Sequence, residues 1–196
     1  MKLMKKSQYL QSPWKNGKGT TSQIEIFPAE ADFTTSHFLW RLSSARITES
    51  GAFSIFPEHS RLLSVISGGA LELKIQGSKK SSHLLKAFTI FEFEGIEEVH
   101  CELQGDAAVD LGLIFNPKWV IASMRIERLE KSNSKLKLED GIHFIVCVAE
   151  SLKIGNYELC VLDSLRLEGC HELQLQSSNQ NTRIAIVHIQ NRTLSE

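Results

Sequence analysis

The sequence predicts an all-β protein. Three observations carry that reading: strict polar–apolar alternation in short runs, turn residues recurring at roughly 8–12-residue spacing, and no run of a dozen residues with a helical period. The alternation is plainest from Phe38 to Leu42, where Phe38, Trp40 and Leu42 share one parity and Arg41 and Ser43 the other. Successive side chains of a strand point to opposite faces, so this is a strand with two differently wetted sides. About a dozen strands in two sheet-rich halves, joined near residues 116 to 140, fit a pair of small barrels.

Taken in order, the chain begins with the basic segment Met1 to Lys6 and reaches Ser12-Pro-Trp-Lys-Asn-Gly-Lys-Gly-Thr-Thr21. Asn16-Gly17 is a turn signal because both residues tolerate positive φ. Ser22 to Phe27 alternates around Ile24 and Ile26 and stops at Pro28. After the Phe38 run, Thr48 to Gly51 is a polar turn, Phe53 to Phe56 resumes extended structure, and Pro57 ends it. Arg61 to Ser67 and Leu71 to Ile75 are strands joined by the Gly68-Gly69 turn. Gln76 to Ser82 reads as a solvated turn, Leu84 to Phe93 as one strand, and Val99 to Leu103 as another. In Val109 to Phe115 the apolar side chains share one face and Asp110 and Gly112 the other. Asn116-Pro117 marks a boundary between halves 1–117 and 118–196. Lys118 to Asp140, rich in charge and Ser, is expected to hold a strand at Ile121 to Leu129 and a mobile turn around Ser132 to Ser134. Strands return at His143–Ala149, Gly155–Leu162, Ser164–Leu167, Glu172–Gln176 and Arg183–Ile189.

The totals narrow the function classes. The 196 residues are 42% hydrophobic and 23% charged, ordinary for a globular protein. With 22 basic against 23 acidic residues and a net charge of −1, no overall field attracts nucleic acid or an anionic membrane surface. The basic start has no apolar run behind it, so it does not read as a signal peptide, and no stretch approaches a membrane span. Cys101, Cys147, Cys160 and Cys170 form no Cys-x-x-Cys pair and lie in or beside β-like runs, where free cysteine behaves as a small apolar residue. A reduced, cytoplasmic setting is the expectation.

Trp14-x-Asn-Gly-x-Gly-x-Thr21, Trp40-Arg-Leu-Ser43, Gly51-x-Phe-Ser-x-Phe-Pro57 and Arg61 together resemble the HutD/Ves family. Its members include an accessory protein of histidine utilisation. The similarity is specific over roughly residues 10–75 and continues weakly through Phe91-x-Phe-x-Gly95, Cys101-x-Leu103 and Asp110. The resemblance implies a bicupin, two cupin-like barrels of the RmlC-like jelly-roll type in one chain. It implies no established enzymatic activity, no cofactor, and a role in binding a small anionic metabolite, formylglutamate-like, that tunes histidine breakdown or a stress response. Cupin sheets also pair across homodimers. The chain departs from the family pattern at Ile96, at Gly112 and at Lys18, which bears on the identity of the ligand.

The chemistry-bearing residues allow several readings. Arg41 and Arg61 lie on strands with apolar neighbours and belong to no basic patch, so each must be paired or face water. One reading is a salt bridge with Asp110; the other is an interior where arginine reads a carboxylate bidentately, helped by Ser43. Trp14 either anchors a hairpin or walls a pocket. The candidate ligand-binding set is Trp14, Asn16, Gly17, Arg41, Ser43, Phe56, Arg61 and Asp110, expected to converge on one concave site. For a metal, only His59 and His100 are weak candidates among seven histidines, short of the three protein ligands of a typical catalytic zinc. No metal is expected. Neighbouring His100 and Cys101 point to opposite faces, which removes them as a nucleophile pair. A metal-dependent cupin enzyme, such as a dioxygenase or isomerase, is the alternative to a non-catalytic binder. An assembly module with a vestigial pocket is the third.

Overall fold

The computed structural model describes residues 1–14, 16–35, 37–76, 81–130 and 132–193. These residues form strands and two 3-10 turns, Lys6–Gln8 and Phe33–Thr35. Among them no helix is long and apolar enough to cross a membrane. The strands are β1 (Lys2–Met4), β2 (Leu10–Pro13), β3 (Gly19–Phe27), β4 (Trp40–Ile47), β5 (Gly51–Ala52), β6 (Ser60–Ser67) and β7 (Ala70–Gln76). They continue as β8 (Ser81–Leu85), β9 (Ile90–Glu94), β10 (Glu98–Gln104), β11 (Ala108–Phe115), β12 (Val120–Arg128) and β13 (Asn133–Leu138). The last six are β14 (Ile142–Ala149), β15 (Leu152–Ile154), β16 (Tyr157–Leu159), β17 (Ser164–Glu168), β18 (His171–Ser177) and β19 (Arg183–Asn191). The chain divides into two units, Leu10–Trp119, and Met1–Tyr9 with Val120–Glu196.

The Leu10–Trp119 unit pairs two antiparallel sheets, ordered β5-β10-β7-β8 and β2-β3-β4-β11-β6-β9. Period-2 alternation turns Ile47, Val65, Leu71, Leu73, Val99 and Ala108 into one core between them. Leu71 and Leu73 are wholly buried, so truncating either to Ala would cost about 2–5 kcal/mol. The β6–β7 hairpin turns at Gly68, whose φ is 84°, and a Cβ there would collide with the Ala107 carbonyl. Only glycine meets both conditions.

The other unit has sheets β1-β17-β14-β19-β12 and β13-β18-β15-β16 around an aliphatic core that includes Ile145, Leu165, Leu167, Leu173, Ile184 and Ile186. Its edge strand β1 comes from the far end of the sequence, with Leu3 opposite Leu165. Asp163 fixes that segment: it accepts from Lys5 Nζ at 2.8 Å, Lys6 N at 2.9 Å and Cys160 N at 3.0 Å. The Tyr9 hydroxyl adds a buried bond to the Leu162 carbonyl at 2.8 Å, and burial pushes its pKa up to about 12.

Several sequence expectations need correction. Leu84 to Phe93 is two strands, β8 and β9, because the chain turns at Phe88 with φ 66°. Phe53 to Phe56 is not a strand; Gly51–Ala52 pairs with β10, and Phe53 N adds one bond to the Val99 carbonyl at 2.9 Å. Phe38 precedes β4 and leaves its parity, packing with Ile26, Phe56 and Ile114, while Trp40 stacks on Phe27 at 5.9 Å. The stretch expected as a mobile turn at Ser132–Ser134 opens β13, whose Leu136 and Leu138 point inward and Lys135 and Lys137 outward. Gly155 to Leu162 contains only the short β16, preceded by β15. Cys160 and Cys170 are exposed, whereas Cys101 and Cys147 are buried. The expected turn at Gln76–Ser82 lies mostly outside the described residues.

Candidate functional site

Three neighbouring strands, β4, β11 and β6, place charge on the inner face of the six-stranded sheet. Ile114 pairs with Arg41 on one side and Arg61 on the other, and one row along, Gly112 pairs with Ser43 and Leu63. Strands lie about 4.8 Å apart, so the two arginine Cα atoms are about 10 Å apart across the sheet. Both share parity with core residues, Arg41 with Ala45 and Ile47, and Arg61 with Leu63 and Val65. The arginines therefore point into the interior between the sheets.

Each guanidinium is held by aromatic faces and one hydrogen bond. Arg41 Nε donates to Gln23 Oε1 at 2.9 Å, and its guanidinium carbon lies 3.9 Å from the Phe33 ring centroid. Arg61 is caged by Phe93, Phe53 and Phe56 at 4.8, 5.0 and 5.7 Å and donates through Nη1 to the Ser54 carbonyl at 3.2 Å. Such rings attract a cation, the more so when water is excluded. Burial lowers both arginines to about 10, with Asp110 opposing the shift in each case. Arg61 is nevertheless only partly buried by surface area. Its bond to the exposed Ser54 carbonyl is open to water, so solvent reaches one edge of this guanidinium and moderates the effect of burial.

Asp110 completes the charge set. It follows a bulge between Val109 and Asp110 in the β11–β6 pairing. Its Oδ1 accepts from Ala45 N at 2.7 Å, and its carbonyl accepts from Ser44 Oγ at 2.6 Å. Burial raises its pKa to about 7, against the opposing pull of the Ala45 N–H and both arginines. The Cys101 thiol is pushed up to about 12, by burial first and then by Asp110. Among the described residues Asp110 makes no ion pair within 4.0 Å with either arginine. Yet the sole fully enclosed side-chain polar atom without a partner in those residues is His143 Nδ1, in the other unit. The second Asp110 oxygen and the unused guanidinium edges therefore face reachable space. Gly112 contributes to it, because a Cβ there would meet only Leu63 Cδ1 at 3.5 Å and the Leu62 carbonyl at 3.9 Å.

Of the residues singled out in the sequence, Arg41, Ser43, Phe56, Arg61 and Asp110 belong to this interior. Trp14, Asn16 and Gly17 do not join them. Gly19 pairs with Ile47, six residues along β4 from Arg41, a distance of about 20 Å by strand rise. There the Trp14 ring packs over Gly19 and its Nε1 donates to Thr21 Oγ1 at 2.8 Å. Asn16 Oδ1 caps Lys18 N at 3.0 Å, Gly17 turns with φ 72°, and Lys18 Nζ bonds the Ser50 carbonyl at 2.8 Å. The aromatic wall comes instead from Phe33, Phe38, Phe53 and Phe56. Gln23 and Phe33 are absent from the set that sequence reasoning picks out. Pairing β3 with β4 would have found Gln23, which lies opposite Ser43; Phe33 lies on a 3-10 turn and carries no sequence signal.

The histidine candidates are placed differently. Both His59 ring nitrogens face carbonyl oxygens, Nδ1 that of Pro57 and Nε2 that of Phe38, each at 2.9 Å. Its ring packs tilted against Phe38 at 4.5 Å, and with both nitrogens directed at carbonyls neither is presented to a metal. His100 lies between the inward-facing Val99 and Cys101 and points outward. It borders a surface cleft of about 230 Å³ with Ala52, Phe53, Ile55, Gln76 and Glu98. That cleft has no cation; the charge lies inside the unit, and Phe53 touches both. Among the described residues no three of His, Cys, Asp and Glu converge as a metal site.

The HutD family profile matches residues 6–185. A 21.2 kDa protein encoded in the hutC 3′ region of Pseudomonas putida is 36% identical over 180 residues, covering 88% of this chain and 90% of that one. Protein Ves of Citrobacter koseri is 30% identical over 140 residues, covering 71% and 69%. Among solved structures, HutD from Pseudomonas fluorescens SBW25 in a formate condition superposes with TM-score 0.80 at 26% identity over 98% and 99% of the chains. For the fold alone, a 7S globulin of Momordica charantia (7% identical, TM-score 0.66) and a pirin of Escherichia coli (12%, 0.65) are similar over 98% and 95% of this chain and 86% and 97% of theirs. These are cupin-like all-β proteins.

Proposed function

The chain belongs to the HutD family, and on that premise we propose that it binds a small carboxylate metabolite inside the Leu10–Trp119 unit without reacting with it. The carrying observation is the pair of inward-facing arginines with unused N–H edges, both electrostatically coupled to a single carboxylate, Asp110. Two guanidiniums and Asp110 total one positive charge. Partly desolvating that excess is costly, and a carboxylate relieves it while satisfying the free donors. Phe33, Phe53 and Phe56 supply apolar wall, the usual partner of a few placed polar groups in a ligand site. In fold terms we read the chain as two cupin-like barrels, near 1–117 and 118–196, with β1 lent to the second. The setting we infer is cytoplasmic, with a metabolite rather than nucleic acid or membrane as partner. A metal-dependent enzyme has less support, since both His59 nitrogens are directed at carbonyls.

The test is a thermal-shift and calorimetric screen of carboxylic acids, including formylglutamate and urocanate, on wild type, Arg61→Ala and Arg61→Lys. Losing a charged hydrogen bond costs roughly 1.5–3 kcal/mol, or about ten- to a hundredfold in affinity. Arg61→Ala should lose that much while staying folded, and Arg61→Lys should recover part, because an ammonium lacks the fork. If no acid stabilises the wild type, or Arg61→Ala unfolds, the arginine is structural and the site is wrongly assigned.

A further inference from the structure

Each interior arginine gives one donor to the protein, Arg41 Nε to Gln23 and Arg61 Nη1 to Ser54. Each keeps an edge able to hold a carboxylate through two parallel N–H···O bonds. Two such edges on either side of Ile114 match an acid with two carboxylates. The charges match only when a proton is added. The site carries two guanidiniums and one carboxylate, a dicarboxylate brings two negative charges, and the sum is −1. That residual charge would lie where burial already disfavours ionisation of all three side chains. A proton on Asp110 brings the sum to zero. A monocarboxylate needs none.

Resting on the carboxylate reading above, we propose that this interior prefers dicarboxylates to monocarboxylates and takes up one proton on Asp110 as it binds them. The groups facing Asp110 are Arg41 on β4, Arg61 on β6, the Cys101 thiol on β10 and the Ala45 N–H. Ala45 N–H occupies Oδ1 in either protonation state, so the proton goes to Oδ2. In the empty site the arginines oppose protonation, and a bound dicarboxylate cancels that opposition. Burial already pushes the Asp110 pKa up to about 7, and removing the opposition of the arginines shifts it further the same way, which favours the protonated form above neutrality. Cys101, raised to about 12, keeps its own proton, and the one taken up comes from solvent.

Calorimetric titration of the wild type with glutarate and with butyrate near pH 8, in buffers of different ionisation enthalpy, counts protons directly. Glutarate should bind with uptake approaching one proton, and its affinity should fall about tenfold per pH unit from roughly pH 8 to 9. Butyrate should bind more weakly, without uptake, and with flat affinity. In Asp110→Asn, whose side-chain oxygen can still accept from Ala45 N, glutarate uptake should vanish and its affinity become independent of pH. Glutarate binding without uptake in the wild type, or with unchanged uptake in Asp110→Asn, overturns the proposal and leaves the carboxylate reading standing. Butyrate binding as tightly as glutarate overturns the dicarboxylate preference. Failure of both acids to bind between about pH 6 and 9 overturns both readings. The wild-type proton count holds even if the variant does not fold.

Discussion

Replacing Gly112 with alanine probes whether the interior beside the arginines is open. Gly112 lies in β11 between Ser43 and Leu63, with an extended backbone that any residue can adopt. A new methyl group would approach Leu63 Cδ1 at 3.5 Å and the Leu62 carbonyl at 3.9 Å, both ordinary contacts, so no clash opposes it. Restricting the unfolded chain contributes about 0.4–1 kcal/mol. A buried methyl contributes up to about 0.8 kcal/mol more, less where its neighbours are polar. The net gain is about 1 kcal/mol, or roughly 2–4 °C in melting temperature for a chain of this size. The same methyl occupies space between Arg41 and Asp110, so the affinity for any carboxylate that stabilises the wild type should fall. Thermal unfolding with and without ligand measures both effects. A variant that melts several degrees lower would mean that the interior is already filled. One that melts higher yet binds the acid as before would mean that the ligand lies elsewhere.

Two further outcomes concern the other unit. His143 is 2% exposed, stacks on His188 at 4.5 Å and donates Nε2–H to the Glu139 carbonyl at 2.8 Å, leaving Nδ1 bare. Burial lowers its pKa, helped by His188, His171 and Arg125, so its contribution to stability is full above the unfolded value near 6.5 and is lost as pH falls through the lower folded value. Urea midpoints at about pH 7.5 and 5.5 should therefore drop more steeply for wild type than for His143→Gln, and equal drops would refute it. For Asp163, burial alone would raise the pKa, but Lys5, Lys6 N and Cys160 N hold it lowered. Asp163→Ala should cost about 2–3 kcal/mol and speed hydrogen exchange among the Lys2–Met4 amides. Unchanged exchange there would show that β1 is held by its ladder alone.

The interior charges are legible in the sequence because they break a local rule. Arg41 and Ser43 alternate with Leu42, and Asp110 with Leu111, so period 2 assigns each to the polar parity of its own strand; the β4–β11 register then puts those parities on one side of the sheet. Which end of the unit the Trp14 loop occupies depends on the β3–β4 register, which alternation does not encode. Phe38 escapes the parity rule because the chain leaves extended geometry just before Trp40, and parity counts only within a strand. The polar stretch Ser132–Ser134 resembles a turn because an edge strand wets one side; its inward Leu136 and Leu138 are the better signal. The pairing of β1 with β17 is invisible for a different reason, since nothing local in three residues names a partner so far along the chain.

That pairing sets an order of events during synthesis. Lys5 and Asp163 are 158 residues apart, which at roughly 5–20 residues per second is about 8–30 s of translation. Every strand of the Leu10–Trp119 unit emerges within that interval and can close its sheets, while Lys2–Met4 is still without its neighbour. The waiting strand is short, begins with Lys2 and is followed by Lys5 and Lys6, a composition that discourages pairing with other nascent chains. The charge that keeps it solvated while it waits is the charge that Asp163 captures on arrival.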